Sequence, residues 1–205
     1  TNAGTIDLSG GILNLGSTFD YTALAGLSRT GGTVNITGTL DLLGNTLDID
    51  FGGPLGGLGT LSGTLVNGTI LGSTLNLTGN AIFTDIVIGS DMAFTGSGSL
   101  RITNDLLLVD GITVAAGSNT INFLNVDAHI GLVPGASTAL MTRNGGIMYS
   151  NYLNDGGVVT IDSGITIEGY TILDDWYNGG AWVNNGTLTA NVATQTFQVR
   201  PVDFT

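Results

Sequence analysis

A triplet of the form apolar–Asp/Asn–apolar recurs along the first two-thirds of this chain. Its copies are Ile6-Asp7-Leu8, Leu13-Asn14-Leu15, Val34-Asn35-Ile36, Leu40-Asp41-Leu42, Leu47-Asp48-Ile49, Leu75-Asn76-Leu77 and Ile121-Asn122-Phe123. The alternation places two apolar side chains on one face of a strand and a small polar one on the other. Gly and Thr separate the copies, which indicates short strands joined by frequent turns.

Longer segments also repeat, which predicts stacked coils. Residues 43–49 align with residues 71–77, and a similar segment occurs at 117–123. Strands this short are too brief for an ordinary sandwich, whereas a coil buries its apolar side chains against the turns above and below. We therefore predict an all-β chain whose residues 1–130 form a parallel β-solenoid (β-helix) with rungs of unequal length. The one helix signal lies at 19–27, with Asp20 as N-cap.

The chain changes character near residue 130, where Pro134-Gly135 marks a loop. We predict that residues 131–205 form an aromatic-rich β segment, acting as a cap or an interface. The stretch 174–182 resembles a hairpin with an Asn-Gly-Gly turn. The tail, residues 195–204, alternates like an edge strand that tolerates Pro201.

The charge balance excludes several partners. The 205 residues carry 15 Asp, one Glu, four Arg and no Lys, for a net charge of −12. Nucleic acids and anionic membranes attract basic residues, so we expect neither as a partner. No apolar run is long enough for membrane insertion. The acidity favours solubility, with Ca²⁺ binding by Asp and Asn as the alternative. The absence of Cys favours an extracellular setting.

Candidate catalytic groups are sparse. Asp174 and Asp175 should point to opposite faces of a strand, and Asp48 belongs to the repeat although it shares a face with Asp50. His129 is the only His, so a His/Cys metal site lacks ligands, and a hydrogen-bonded structural His is the expected role. We expect no enzymatic activity, no catalytic residues and no cofactor other than Ca²⁺.

Six of the seven Tyr and Trp residues cluster late in the chain. They are Tyr149, Tyr152, Tyr170, Trp176, Tyr177 and Trp182. Three interpretations stay open: they pack a capping core, form a subunit interface, or stack on sugars.

Segments 31–50 and 57–123 resemble the Gly/Thr-rich β-strand repeats of secreted bacterial surface proteins. These are autotransporter-type passenger domains and filamentous-haemagglutinin-like adhesins. The resemblance is carried by residues 32–40, 63–70 and 99–114. It implies a right-handed parallel β-helix used as a stalk, adhesin or matrix element at a bacterial cell surface, without shared catalytic residues.

A solenoid without caps exposes strand edges at both ends. Either the chain is a piece of a longer one, or it stacks on copies of itself. We expect a secreted structural protein that associates head to tail into a filament, sheath or surface stalk, and the residues expected to form the inter-subunit strands are Ile6, Leu8, Phe197, Val199 and Phe204. The alternative is a glycan-binding adhesin using the aromatic cluster within residues 149–182. A polysaccharide-active enzyme ranks third.

Overall fold

The computed structural model describes residues 4–124, 127–150, 157–175, 179–201 and 203–205. Within these ranges the chain is a parallel β-solenoid of about eight turns. Each turn places its apolar side chains inside the coil, and the predicted fold class is confirmed.

The strands are short in the first half of the coil and longer in the second. In chain order they are β1 Ile6–Leu8, β2 Ile12–Leu15, β3 Thr18–Asp20, β4 Leu27–Arg29, β5 Thr33–Ile36, β6 Thr39–Asp41, β7 Thr46–Asp48, β8 Leu58–Leu61, β9 Thr64–Leu71, β10 Thr74–Leu77, β11 Asn80–Ile88, β12 Met92–Gly96, β13 Ser99–Leu108, β14 Thr113–Gly117, β15 Ile121–Phe123, β16 Asp127–Leu132, β17 Ala139–Ser150, β18 Val158–Ile161, β19 Ile165–Asp175, β20 Ala181–Asn184, β21 Thr187–Thr189, β22 Gln198–Val199 and β23 Asp203–Phe204.

Strand pairing divides the coil into three faces. Face A runs from β2 and β5 to β21, face B from β3 and β6 to β22, and face C from β7 to β23. Long strands bend around a corner: β9, β11 and β13 pass from face B to face C, and β17 and β19 pass from face A to face B. β1 pairs with β4 in a separate two-stranded sheet.

The core is a set of columns in which side chains from successive turns stack. On face B the register aligns Leu40, Leu65, Phe83, Ile102 and Phe123, and all five are fully buried. Because strand side chains alternate with a period of two, every second residue joins such a column. From residue 34 onward, the apolar members of the predicted triplets face inward, as expected.

Glycine at the corner between faces A and B allows successive turns to lie close together. A Cβ on Gly38 would lie 2.3 Å from the carbonyl oxygen of Ser17. One turn later, a Cβ on Gly63 would lie 2.0 Å from the carbonyl oxygen of Gly38. Both distances are far inside van der Waals contact, so neither position has room for a side chain. Gly38 and Gly63 therefore allow successive turns to stack closely at this corner.

The turns differ in length, as the irregular repeat predicted. Leu77 pairs with Leu61, 16 residues earlier, whereas Val158 pairs with Asp127, 31 residues earlier. The helix signal at 19–27 corresponds to a 3₁₀ helix, Tyr21–Gly26, whose N-cap Asp20 accepts a hydrogen bond from the Thr22 N–H. In the described ranges, no helix has the length and apolar character needed to cross a membrane.

The coil continues past residue 130, where we had predicted that the rungs end. β17 and β19 pair at ten positions, and their inward side chains continue the core columns of the earlier turns. The predicted hairpin at 174–182 is wrong: β19 and β20 lie on different faces of one turn, and β20 pairs in parallel with β18. The tail also divides into two strands, β22 and β23, on faces B and C.

Candidate interaction surfaces

The first turn exposes apolar side chains at one end of the coil. Ile12 on β2 is 69% exposed and Ile6 on β1 is 36% exposed, whereas Leu8 packs partly against the core. Within the described residues β2 pairs with β5 and β3 with β6, so their other edges face outward from the end. An open cavity of about 360 Å³ enters the interior here, and its apolar lining is Ile6, Leu15, Phe19, Ala23, Leu24 and Leu27.

The last turn exposes apolar side chains at the opposite end. Val199 on β22 is 44% exposed, Phe204 on β23 is 40% exposed, and Phe197 packs partly against the core. β23 pairs with β20 through Trp182 and Phe204. In the described part of the chain seven large hydrophobic residues are exposed; Ile6, Ile12, Val199 and Phe204 lie at the two ends, and Leu43, Phe51 and Val192 lie on the sides.

The aromatic residues singled out in the sequence do not form one cluster. Tyr149 lies on the outside of face B, while Tyr170 lies at the corner between faces A and B, beside Gly145. Tyr152, Trp176 and Tyr177 lie outside the described residues. Only Tyr149 and Tyr170 can thus be placed on the described outer surface.

Trp182 is a core residue, which removes it from the surface candidates. Its side chain is fully buried, and its ring meets that of Phe123 edge-on at 6.0 Å between centroids. The indole N–H donates to the carbonyl of Asp174 at 3.1 Å. On the inner side of face B, the position of Phe123 is taken in the next two turns by the smaller Ser150 and Asp175. The large Trp182 side chain fills volume near this point.

A column of polar residues follows the outside of face B in the second half of the coil. The register aligns Arg101, Asn122, Tyr149 and Asp174 on successive strands, and Arg200 directly follows the next strand. We call these five residues the face B column. It contains two of the four Arg residues of the chain.

Charged groups surround Tyr149 in this column. Arg200 Nη1 lies 3.9 Å from Asp174 Oδ2, and the two side chains are 49% and 21% exposed. Burial raises the pKa of the Tyr149 phenol, the Asp174 carboxylate adds to this effect, and Arg200 opposes it. The hydroxyl therefore stays protonated at neutral pH. Asn122 is 3% exposed although its register places it on the outer face, and its buried Oδ1 has no hydrogen-bond partner.

Aspartates at the corners bind the backbone of the following turn. Four share this role, each accepting a hydrogen bond from an N–H one turn later: Asp50 from Ser73, Asp91 from Thr113, Asp105 from His129 and Asp110 from Ser137. At Asp110 the backbone N–H groups of Ser137 and Thr138 hold the pKa of the carboxyl below its usual value. The short Asp side chain suits this contact because it holds the carboxylate close to the neighbouring strand.

The acidic pairs considered as catalytic candidates take part in similar contacts. Asp48 Oδ1 accepts from the Asp50 N–H at 2.9 Å, and Asp50 binds Ser73. Asp174 and Asp175 point to opposite sides of β19, as strand alternation predicted. Among the described residues, no group of three or more His, Cys, Asp or Glu could hold a metal ion.

Sequence reasoning missed two arginines that bind backbone carbonyls at corners. Arg143 is 2% exposed, and its guanidinium donates to the carbonyls of Ala116, Asn119 and Gly145 at 2.8–3.0 Å. Burial lowers its pKa to about 10, so it remains protonated at neutral pH. Alternation from Met141 would have placed residue 143 inside the coil.

Arg29 has the same role near the first turn. Its Nη1 donates to the carbonyls of Leu55, Gly56 and Gly57 at 3.0, 2.6 and 2.6 Å. These bonds hold the loop that returns the chain from face C to face A, and Leu55 in this loop is fully buried. No motif in the sequence marks this contact.

His129 forms the hydrogen bond expected of a structural histidine. Its Nδ1 lies 2.9 Å from Asp162 Oδ1. This bond raises the pKa of the imidazole above its usual value; burial opposes the shift, and the charges of Asp162, Asp105 and Asp127 reinforce it. The bonded partner, Asp162, lies 33 residues further along the chain, so the sequence gives no local sign of this contact.

No family model matches the chain, and neither the curated proteins nor the solved structures compared with it include a similar one. The fold agrees with β-helix repeat proteins as a general class. That agreement rests on the strand pairing and the Thr-rich strands described above.

Proposed function

We propose that this chain is a secreted, extracellular structural protein that associates head to tail through its end turns, forming a filament, sheath or surface stalk. The supporting observation is that four of the seven exposed large hydrophobic residues in the described ranges, Ile6, Ile12, Val199 and Phe204, lie at the two ends of the coil. A further turn stacked on either end would cover Ile6 at one end and Val199 and Phe204 at the other, in the way each turn of the coil covers the last.

The two ends expose surfaces of different shape that suit contact with each other. One end offers strand edges around an open apolar cavity, and the other offers strand edges with Val199 and Phe204 exposed. Parallel strand addition satisfies backbone groups and sets a register through alternating side chains. A contact between unlike ends does not close by itself, so it grows into a fibre. The occupant we propose for each end is a second copy of this chain.

The acidic composition and the absence of Cys support an extracellular location, as does the resemblance to secreted bacterial surface repeats. The corner aspartates bind backbone groups, which supports a structural role for them and not a catalytic one. An autotransporter-like or haemagglutinin-like surface protein is the finer assignment we propose.

The test is sedimentation velocity of the purified chain up to about 100 μM, a range that detects weak association. We expect assembly by the wild type and monomers for Ile6→Asp and for Phe204→Asp, because Ile6 lines the cavity at one end and Phe204 is exposed at the other. Mixing the two variants should give dimers and nothing larger, because each retains one intact end.

Phe51→Asp is the matched control, since Phe51 is 85% exposed but lies on a side loop. It should assemble like the wild type. A wild-type chain that stays monomeric would contradict the proposal. Loss of assembly in Phe51→Asp would also contradict it, because contact through the sides would then be responsible.

A further inference from the structure

The face B column combines the chemical groups that a carbohydrate site needs. Tyr149 offers a partly exposed ring, Asp174 a carboxylate acceptor and Arg200 a half-exposed guanidinium with several donors. Binding sites commonly pair an aromatic surface with a few converging polar groups. Ile147 pairs in register with Ile172, two residues before the Tyr149–Asp174 pair. Both isoleucines are partly exposed on the same side of the sheet, and they extend the apolar surface of Tyr149.

A buried polar atom marks the same column. Asn122 is adjacent in register to Tyr149, and its Oδ1 is buried without a hydrogen-bond partner. Buried polar atoms in native proteins are normally paired, so an unpaired acceptor beside exposed donors calls for an explanation.

The length and charge of the column restrict the ligand. Neighbouring strands lie about 4.8 Å apart, so the three steps from Asn122 to Arg200 span roughly 14 Å, a few sugar rings in length. Asp174 and Arg200 carry opposite charges at 3.9 Å, so this pair is neutral in sum. The net charge of −12 disfavours acidic ligands.

We propose that the outside of face B around Tyr149, Asp174 and Arg200 binds a neutral oligosaccharide. One sugar ring stacks on Tyr149, and its hydroxyls donate to Asp174 and accept from Arg200. This site lies on the outer side of the coil; Tyr149 and Asp174 belong to turns before the last, and Arg200 is its one residue in the end turn proposed to bind a second copy.

The experiment is an NMR titration of the ¹⁵N-labelled Ile6→Asp variant, which is expected to stay monomeric, with cellohexaose, maltohexaose, laminarihexaose and chitohexaose, each to about 5 mM. Trigalacturonic acid serves as the acidic probe. We expect at least one neutral probe to shift the amides of residues 147–149, 172–174 and 198–200, with a Kd of about 1 mM or lower.

Tyr149→Ala should weaken that binding at least about tenfold, consistent with the loss of a stacked ring. Arg200→Gln is a second variant that leaves the core untouched, and it should weaken binding as well. Tyr170→Ala is the control, because Tyr170 is also partly exposed but lies at another corner; its binding should match the wild type.

Three results would overturn the site. One is the absence of shifts with every neutral probe. Another is binding of the acidic probe alone. The last is unchanged affinity in both Tyr149→Ala and Arg200→Gln when their spectra show a folded chain.

Discussion

Single residues in this chain owe their roles to the side of the strand on which they lie. Arg143 and Asp175 are charged yet point inward, while Tyr149 and Asp174 point outward in the same turns. The inward Arg143 tolerates burial because three carbonyls accept its hydrogen bonds. Position within the two-residue period therefore decides whether a polar residue is structural or available to a ligand.

The His129–Asp162 pair makes a pH-dependent contribution that NMR can measure. Because the folded-state pKa of His129 is raised, protonation stabilises the fold. The contribution is complete below the ordinary pKa of about 6.5 and is lost as pH rises through the higher folded value. We expect the imidazole to titrate above 6.5 in the wild type and at a lower pH in Asp162→Asn. Equal pKa values in the two proteins would show that Asp162 does not cause the shift.

At the scale of elements, corners set the shape of the coil. At Gly38 and Gly63 the corner between faces A and B brings backbone atoms of successive turns into close contact, so these positions require Gly. At the corners that hold Asp91 and Asp110, the aspartates accept hydrogen bonds from backbone N–H groups of the next turn.

Gly38→Ala should destabilise the coil by about 1–3 kcal/mol, because its Cβ would lie 2.3 Å from a carbonyl oxygen of the previous turn. Gly10→Ala is the control, since nothing lies within 4 Å of a Cβ there. Urea denaturation followed by circular dichroism measures the midpoints. An unchanged midpoint for Gly38→Ala would mean that the two turns separate at little cost.

The sequence predicted the elements well where strands are short and each corner has its own Gly. It failed beyond residue 130 because β17 and β19 each pass a corner as one strand, of 12 and 11 residues, so the corner glycines Gly145, Gly146 and Gly169 lie within a strand and do not mark its end. The face B column was equally hidden, since Arg101 and Arg200 are 99 residues apart in sequence. The pairing register of five successive strands places the two arginines in the same column, at its opposite ends.

At the scale of the whole molecule, a long acidic coil must approach another acidic coil in order to stack. Copies with a charge of −12 repel one another over a screening length of about 30 Å at 0.01 M salt and about 8 Å at 0.15 M. The apolar surfaces proposed to form the joint do not weaken as salt rises.

We therefore expect association of the wild type to strengthen as NaCl rises from about 10 to about 500 mM, as measured by sedimentation. Phe204→Asp should stay monomeric throughout the series. Association that weakens with salt would instead indicate that opposite charges hold the joint.

The aspartates that bind a backbone N–H one turn later have a consequence for the two ends of the coil. Asp50, Asp91 and Asp110 each belong to the earlier turn, and the group they bind belongs to the later one. Ser90, which accepts from the Gly72 N–H, is the reverse case. The corner aspartates therefore give the stack a polarity, with a carboxylate acceptor on the N-terminal side of a contact and a backbone donor on the C-terminal side. Removing the last turn would leave such acceptors unpaired, whereas removing the first would leave donors unpaired, and we expect truncation from the two ends to differ in its effect on stability for this reason.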